Sequence, residues 1–358
     1  MINSEAEYKW NLSDGYPEKN GYKVFSCFAC GGGSTMGYKR AGFDVIGMNE
    51  IDPKMANAYI ANHKPKYSFI EPIQSFKLRE DLPKELFELD ILDGSPPCSS
   101  FSISGNREKD WGKEKKFKEG QAEQVLDTLF FDFIDLAKRL KPKVVIAENV
   151  KGMLMGGAKD YVIEIHKQID EAGYYTQHWL FNSADMGLPQ KRQRVFFIGL
   201  RKDIAGQFLY QKDMFTQVPK IDLTFNERHV KFAEVFRDYT DRPLTEHFQE
   251  YWNIRKRGDI DFRLSSERLG KNPNANFNHK YIYMDKVANT ITAGDLCVLF
   301  DHPRYRNKEE LCECSSFPLD YDFRKNKPEY IMGMSVPPLM IKKIVEQIKV
   351  QWLDKLNT

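Results

Sequence analysis

The chain has 358 residues, 41% hydrophobic and 29% charged, enough to bury one good core and leave length for a second, smaller domain. No run approaches the roughly 18 apolar residues of a membrane span, and the polar start from Met1 to Asn11 lacks the apolar core of a signal peptide, so a soluble cytoplasmic protein is expected. The formal net charge of +2 neither demands nor excludes nucleic acid, and six scattered cysteines do not resemble a disulfide framework, which leaves reduced thiols available for chemistry.

β-rich apolar runs alternate with helical patterns through the first 200 residues, which predicts an α/β fold with a parallel sheet. Lys23 to Phe28 reads as a buried strand, Ala29 to Ser34 as a glycine loop, Thr35 to Ala41 as a helix stopped by Gly42, and Phe43 to Met48 as the next strand. Asp52-Pro53 supplies an N-cap and a first-turn proline for a helix to about His63. Strands follow at Leu89 to Asp93, Val144 to Ala147, Tyr174 to Phe181 and Val195 to Leu200, with a helical pattern from about Ala122 to Leu140. Tyr174 to Phe181 and Val195 to Leu200 could pair antiparallel. Beyond Lys202 the pattern becomes irregular until Pro338, where an amphipathic helix returns with Leu339, Ile341, Ile344, Val345, Ile348 and Trp352 on one stripe. The expected division is 1–202 plus 324–358 for the sheet domain and 203–323 for the second domain.

The loop Cys30-Gly31-Gly32-Gly33 lies between a strand and a helix, where missing side chains let a ligand approach the backbone. Glu50, at the end of the second strand, stands where a carboxylate in such folds binds a ribose hydroxyl pair. Loop and acid suggest an adenosine-bearing cofactor; the alternative is a tight turn and a solvated Glu. The dinucleotide spacing G-x-G-x-x-G is absent, which counts against NAD and FAD.

The strand Leu89 to Asp93 runs into Ser95-Pro96-Pro97-Cys98, and two prolines stiffen the turn that presents Cys98 at the strand's carboxyl end. A lone cysteine is more often a small core residue; the prolines and the strand end favour a nucleophile. A zinc deaminase would need a cysteine at Phe101 and an H-x-E element, and neither is present. Cys27-x-x-Cys30 and Cys312-x-Cys314 lack metal-type flanks, so no metal is expected. Glu148-Asn149-Val150 ends another strand, where a carboxyl could serve as general acid, and Gln190 to Arg194 bring two guanidiniums to the same rim.

Phe28-Ala29-x-Gly-Gly-Gly, Pro97-Cys98-x-x-Phe101-Ser102, Glu148-Asn149-Val150, Gln190-x-Arg192-x-Arg194 and Ser335-Val336-Pro337-Pro338 occur in one order. That order resembles the motif order of DNA cytosine-5 methyltransferases of the bacterial or phage type, over nearly the whole chain except about 203 to 290. The resemblance implies a Rossmann-like S-adenosylmethionine-dependent methyltransferase sheet with a smaller, irregular target-recognition domain. It implies methyl transfer to C5 of a flipped-out cytosine in a specific duplex DNA sequence. Cys98 would add to C6 while Glu148 assists at N3, with Arg194 holding the O2 edge and Arg192 supporting the same pocket. By the same resemblance Phe28, Ala29, Gly31, Gly33, Glu50, Ile51, Pro97 and Leu129 would hold S-adenosylmethionine and its product S-adenosylhomocysteine. Ser102, Asn149 and Gln190 would contact DNA. Lys113 and Lys116, in a charged stretch that reads either as a lid over phosphates or as a solvated loop, and Arg255 and Arg257 in the second domain, would contact it too. The partners implied are double-stranded DNA and a cognate restriction endonuclease, with a monomer acting on DNA. Five positions depart from the family pattern: Ser26 stands where an acidic residue is usual, Cys30 replaces a glycine, Pro72 falls about where an Asp is expected, Glu309 replaces an arginine and Met334 an asparagine.

Overall fold

The computed structural model describes residues 6–97, 128–213 and 216–356. The chain divides into two compact units. The larger comprises Tyr16–Phe181, Gln193–Thr224 and Met340–Thr358, and the smaller Met1–Gly15, Asn182–Arg192 and Phe225–Leu339.

In the larger unit the chain order is β1 (Lys23–Cys27), α1 (Gly33–Arg40), β2 (Asp44–Asn49), α2 (Pro53–His63), β3 (Tyr67–Phe69), α3 (Ile73–Phe76) and β4 (Ile91–Gly94), then α4 (Leu129–Leu140), β5 (Val144–Val150), α5 (Lys159–Glu171) and β6 (Tyr174–Asn182). The two-residue strand β7 (Gln190–Lys191) falls in the smaller unit, and β8 (Gln193–Arg201) returns to the sheet. The seven strands are ordered β3-β2-β1-β4-β5-β8-β6. The pairs from β3 through β5 are parallel, and β8 runs antiparallel to β5. Parallel strands need covered faces, and their near-continuous apolar runs supply the core: Phe25, Leu92, Val145, Ala147 and Phe197 pack with Phe130, Phe133 and Leu136 of α4 and with Tyr161, Ile165 and Ile169 of α5. Gly94 lets α4 approach the sheet, since a Cβ there would lie 2.5 Å from the Phe133 ring.

Helix starts follow local rules. The Asp52 carboxylate accepts from Lys54 N–H at 2.8 Å, and Pro53 occupies the first turn of α2. After α6 (Pro338–Ile348) the backbone passes through a π-type turn, Lys349–Leu353, before Asp354–Leu356. The expected stripe is buried throughout, and Trp352 Nε1–H donates to the Lys220 carbonyl at 2.8 Å.

The compact units do not coincide with a division at 203 and 323. Residues 190–191 pair in parallel with Ala288–Asn289 of the smaller unit. Asp320 accepts from Leu12 and Ser13 N–H, which places the start of the chain there as well. Conversely, Pro219 accepts from Gln177 and Lys220 from Trp352, tying 203–224 to the sheet. The smaller unit has an aromatic core of Tyr251, Phe262, Tyr281, Tyr283 and Phe300, and buried ion pairs Arg306–Asp295 and Arg304–Glu310.

Candidate active site

The first half of the site is the turn from β1 to α1. Phe28 (φ 52°), Cys30 (φ 46°) and Gly32 (φ 81°) lie in the left-handed region, which costs of order 1–3 kcal/mol for each of the two residues that carry a Cβ. The surroundings hold the turn in that shape. Glu50, 6% exposed, accepts from Cys30 N–H at 2.7 Å and from Asp52 N–H at 2.9 Å. Burial pushes its carboxyl pKa up, opposed by those two backbone donors. Beneath the loop His63 lies against Tyr59, with Nε2 3.3 Å from the Gly31 carbonyl; burial, helped by the Lys39 charge, drives its pKa down to about 3, so it is neutral. A Cβ on Gly32 would fall 2.2 Å from that Nε2, so the close approach requires glycine.

The second half is where β4 and β5 end side by side. Asp93, 1% exposed, lies opposite Ser26 in the β1–β4 ladder, accepts from its hydroxyl at 2.8 Å, and accepts from Tyr38 Oη at 3.2 Å. Burial raises its pKa to about 7, tempered by the hydroxyls of Ser26, Tyr38 and Ser34 and reinforced by the negative charge of Glu148. At the end of β5, Glu148 pairs with Phe196 of β8, so Arg194, two residues earlier, shares its face of the sheet. Arg194 Nε–H meets Glu148 Oε1 at 2.8 Å, with both side chains mostly buried. Burial lowers the guanidinium pKa, and the carboxylate opposes that shift. The next residue, Asn149, donates from Nδ2 to the Pro96 carbonyl at 3.0 Å and accepts Val150 N–H on Oδ1 at 2.8 Å. One residue therefore fixes the chain two positions before Cys98 against the strand that carries Glu148. Pro97 is half-buried, and Cys98, Ser102, Lys113 and Lys116 lie outside the described residues.

The model of the C-5 cytosine-specific DNA methylase family matches residues 22–350. The chain belongs to that family. It is 37% identical over 182 residues to the Type II methyltransferase M.FnuDI of Fusobacterium nucleatum, covering 51% of this chain and 48% of that protein. The match thus spans about half the length of that relative. Similarity to the Type II methyltransferase M1.HphI of Haemophilus parahaemolyticus is lower, 27%, but extends over 92% of this chain and 86% of that one. Among solved structures, a prophage-encoded DNA modification methyltransferase of E. coli shares the fold with a TM-score of 0.64 at 19% identity, over 92% of this chain and 99% of that one.

The structure gives the other expected site residues the following surroundings. Gln190 is fully buried in the smaller unit, donating to the Cys314 carbonyl at 2.9 Å and accepting Ile291 N–H at 2.8 Å. Arg192 also belongs to that unit and is 2% exposed; it donates to the carbonyls of Ile291, Gly333 and Ser335 at 2.9–3.0 Å. It binds backbone there, with N–H groups of both terminal guanidinium nitrogens directed at the three carbonyls. Leu129 is 1% exposed and belongs to the hydrophobic core. Arg255 donates to the carbonyls of Phe300 and Trp252 with its guanidinium 3.2 Å from the Trp252 ring, so it holds structure, whereas Arg257 is 71% exposed in its side chain and 3.7 Å from Asp285. Ala29, Gly31 and Gly33 are buried in the loop, and Ile51 is half-buried beside Glu50. Of the departures, Cys30 adopts the left-handed φ that favours the family's glycine, Pro72 caps α3, the Glu309 carboxylate bonds Tyr239 Oη, and Met334 is 49% exposed. Sequence reasoning missed Asp93 and His63. The signal for Asp93 was an acidic residue in an otherwise apolar strand, directly before Gly94.

Proposed function

We propose that the chain is a DNA (cytosine-5-)-methyltransferase acting on a flipped-out cytosine in a specific duplex sequence, with Cys98 as nucleophile and Glu148 as its partner at N3. The observation that supports the reading is the Asn149–Pro96 hydrogen bond, which ties the chain two positions before Cys98 to β5, the strand that carries Glu148 of the buried Glu148–Arg194 pair. Cytosine C5 is too weak a nucleophile to take a methyl group unaided. Addition of the Cys98 thiolate to C6, with Glu148 donating a hydrogen bond or proton at N3, shifts electron density to C5. S-adenosylmethionine supplies the electrophilic methyl group. Loss of the C5 proton then returns the electron pair that expels the thiolate and restores the ring. Arg194 keeps Glu148 oriented and places positive charge at the pyrimidine's O2 edge.

The donor set suits an adenosine-bearing group: a buried carboxylate at the end of β2 faces a side-chain-poor turn at the end of β1. Phe28, Ala29, Gly31, Gly33, Glu50, Ile51 and Pro97 would hold S-adenosylmethionine there. The smaller unit would read the DNA sequence, with Arg257 available for phosphate contact. Double-stranded DNA is the partner of this reading, a monomer its acting unit, the cytoplasm its compartment, and a cognate restriction endonuclease its companion.

The test is methyl transfer to duplex DNA and to tRNA by the wild type and by Cys98→Ser, followed by bisulfite sequencing of the modified DNA. The reading expects 5-methylcytosine at one recurrent DNA sequence, and loss of transfer without loss of S-adenosylhomocysteine binding in the variant. Retained transfer by Cys98→Ser, or transfer to tRNA alone, would overturn it.

A further inference from the structure

Two anchors flank the strained β1–α1 turn. On one side the Glu50 carboxylate holds Cys30 N–H. On the other, Asp93 receives Ser26 from the last turn-facing part of β1, and Ser34 and Tyr38 from the first two turns of α1. Among the described residues the partners of this buried carboxyl are hydroxyls rather than a cation, which is an expensive environment for a charged group. Ser26 and Asp93 are directly opposed in the β1–β4 register, so the carboxyl lies one strand over.

We propose that Asp93 is a positioning residue for the cofactor: from β4 its carboxyl holds Ser26 of β1 and Tyr38 of α1 together, and this clamp keeps the turn 28–33 in its cofactor-receiving shape. Left-handed φ at Phe28 and Cys30 persists only where the surroundings over-determine it. Removing one of two anchors releases that strain and reshapes the turn. The effect reaches the cofactor through the turn, without contact between Asp93 and the cofactor. The inference rests on the proposed methyltransferase reading.

The test is a cycle of Asp93→Ser, Ser26→Asp and the double variant, measured by calorimetric titration with S-adenosylhomocysteine and by KM for the methyl donor against kcat. Asp93→Ser should weaken cofactor binding by about tenfold or more and raise KM more than it lowers kcat. Ser26→Asp alone should also weaken it, because two carboxyls then share one buried site. The double variant, which exchanges carboxyl and hydroxyl across the β1–β4 pair, should recover affinity to within about threefold of wild type. A purely structural aspartate would shift the melting temperature without raising the methyl-donor KM more than it lowers kcat. Binding by folded Asp93→Ser within twofold of wild type, or a double variant no better than the single, overturns the proposal. Where Asp93→Ser fails to fold, Asp93→Asn replaces it and the double variant remains decisive. A wild type without affinity for S-adenosylhomocysteine would sink the underlying reading as well, and so is told apart from a failure of the clamp alone.

Discussion

Asn149→Ala removes the donor that holds the Pro96 carbonyl at 3.0 Å and the acceptor of Val150 N–H at 2.8 Å. Pro96 and Asn149 are both buried, so the carbonyl loses its partner where water does not readily replace it. Leaving a buried acceptor unpaired costs about 1–3 kcal/mol, more than the net value of an ordinary hydrogen bond. If about 2 kcal/mol of that falls on the geometry of the rim in the transition state, transfer slows by about 30-fold. The assay is single-turnover methyl transfer at saturating donor and DNA, with thermal melting to establish that the variant is folded. Binding of S-adenosylhomocysteine should change little, since the two hydrogen bonds of Asn149 go to Pro96 and Val150 and not to the β1–α1 turn. Asn149→Asp, which sets a carboxylate oxygen against the Pro96 carbonyl, should be slower still. A single-turnover rate within twofold of wild type would refute the reasoning that this bond sets the approach to Cys98.

Arg194→Ala strands the Glu148 carboxylate, 2.8 Å from its present partner, and should cost on the order of 3–5 kcal/mol in denaturant unfolding; a loss under about 1 kcal/mol would mean that the pair is solvated rather than buried. Gly32→Ala combines a φ of 81° with a Cβ 2.2 Å from His63 Nε2, and should cost about 2–5 kcal/mol together with cofactor affinity, checked by melting and by titration; wild-type values for both would contradict the close approach. Asp93 carries a folded pKa raised to about 7 from 3.8. A raised folded value means that protonation favours the fold, so this contribution is fully present below about pH 4 and is lost as pH rises through about 7. The melting temperature should carry that component across the window, and Asp93→Asn should remove it; an unchanged pH slope in the variant would count against the buried carboxyl.

Much of the sheet was legible because it rests on local patterns. Apolar runs marked β1, β2, β4, β5, β6 and β8, and Asp52-Pro53 marked the start of α2. Helix α5 was not read from the sequence: Tyr161, Val162, Ile165 and Ile169 recur at helical spacing, but its polar remainder hid the pattern. The motif residues Glu148 and Arg194 meet because strand register puts them on one face, a relation the antiparallel β5–β8 pair creates. The partners of Arg192 lie 99 to 143 residues away, and no local pattern distinguishes an arginine that binds three carbonyls from one that supports a pocket by its charge. Arg255 is likewise fixed by Trp252 and Phe300, the latter 45 residues on. The Ser26–Asp93 hydrogen bond was not legible, because it depends on the β1–β4 register that sets two residues 67 positions apart opposite each other.

The central claim is covalent attack by Cys98 on cytosine C6. Its most direct test is mass spectrometry of the wild type after incubation with S-adenosylmethionine and duplex DNA carrying 5-fluorocytosine, in which fluorine cannot leave C5 as a proton does. The account predicts a stable protein–DNA adduct whose modified peptide contains Cys98, absent from Cys98→Ser. An enzyme that methylates ordinary DNA but yields no adduct, or an adduct on another residue, would contradict it.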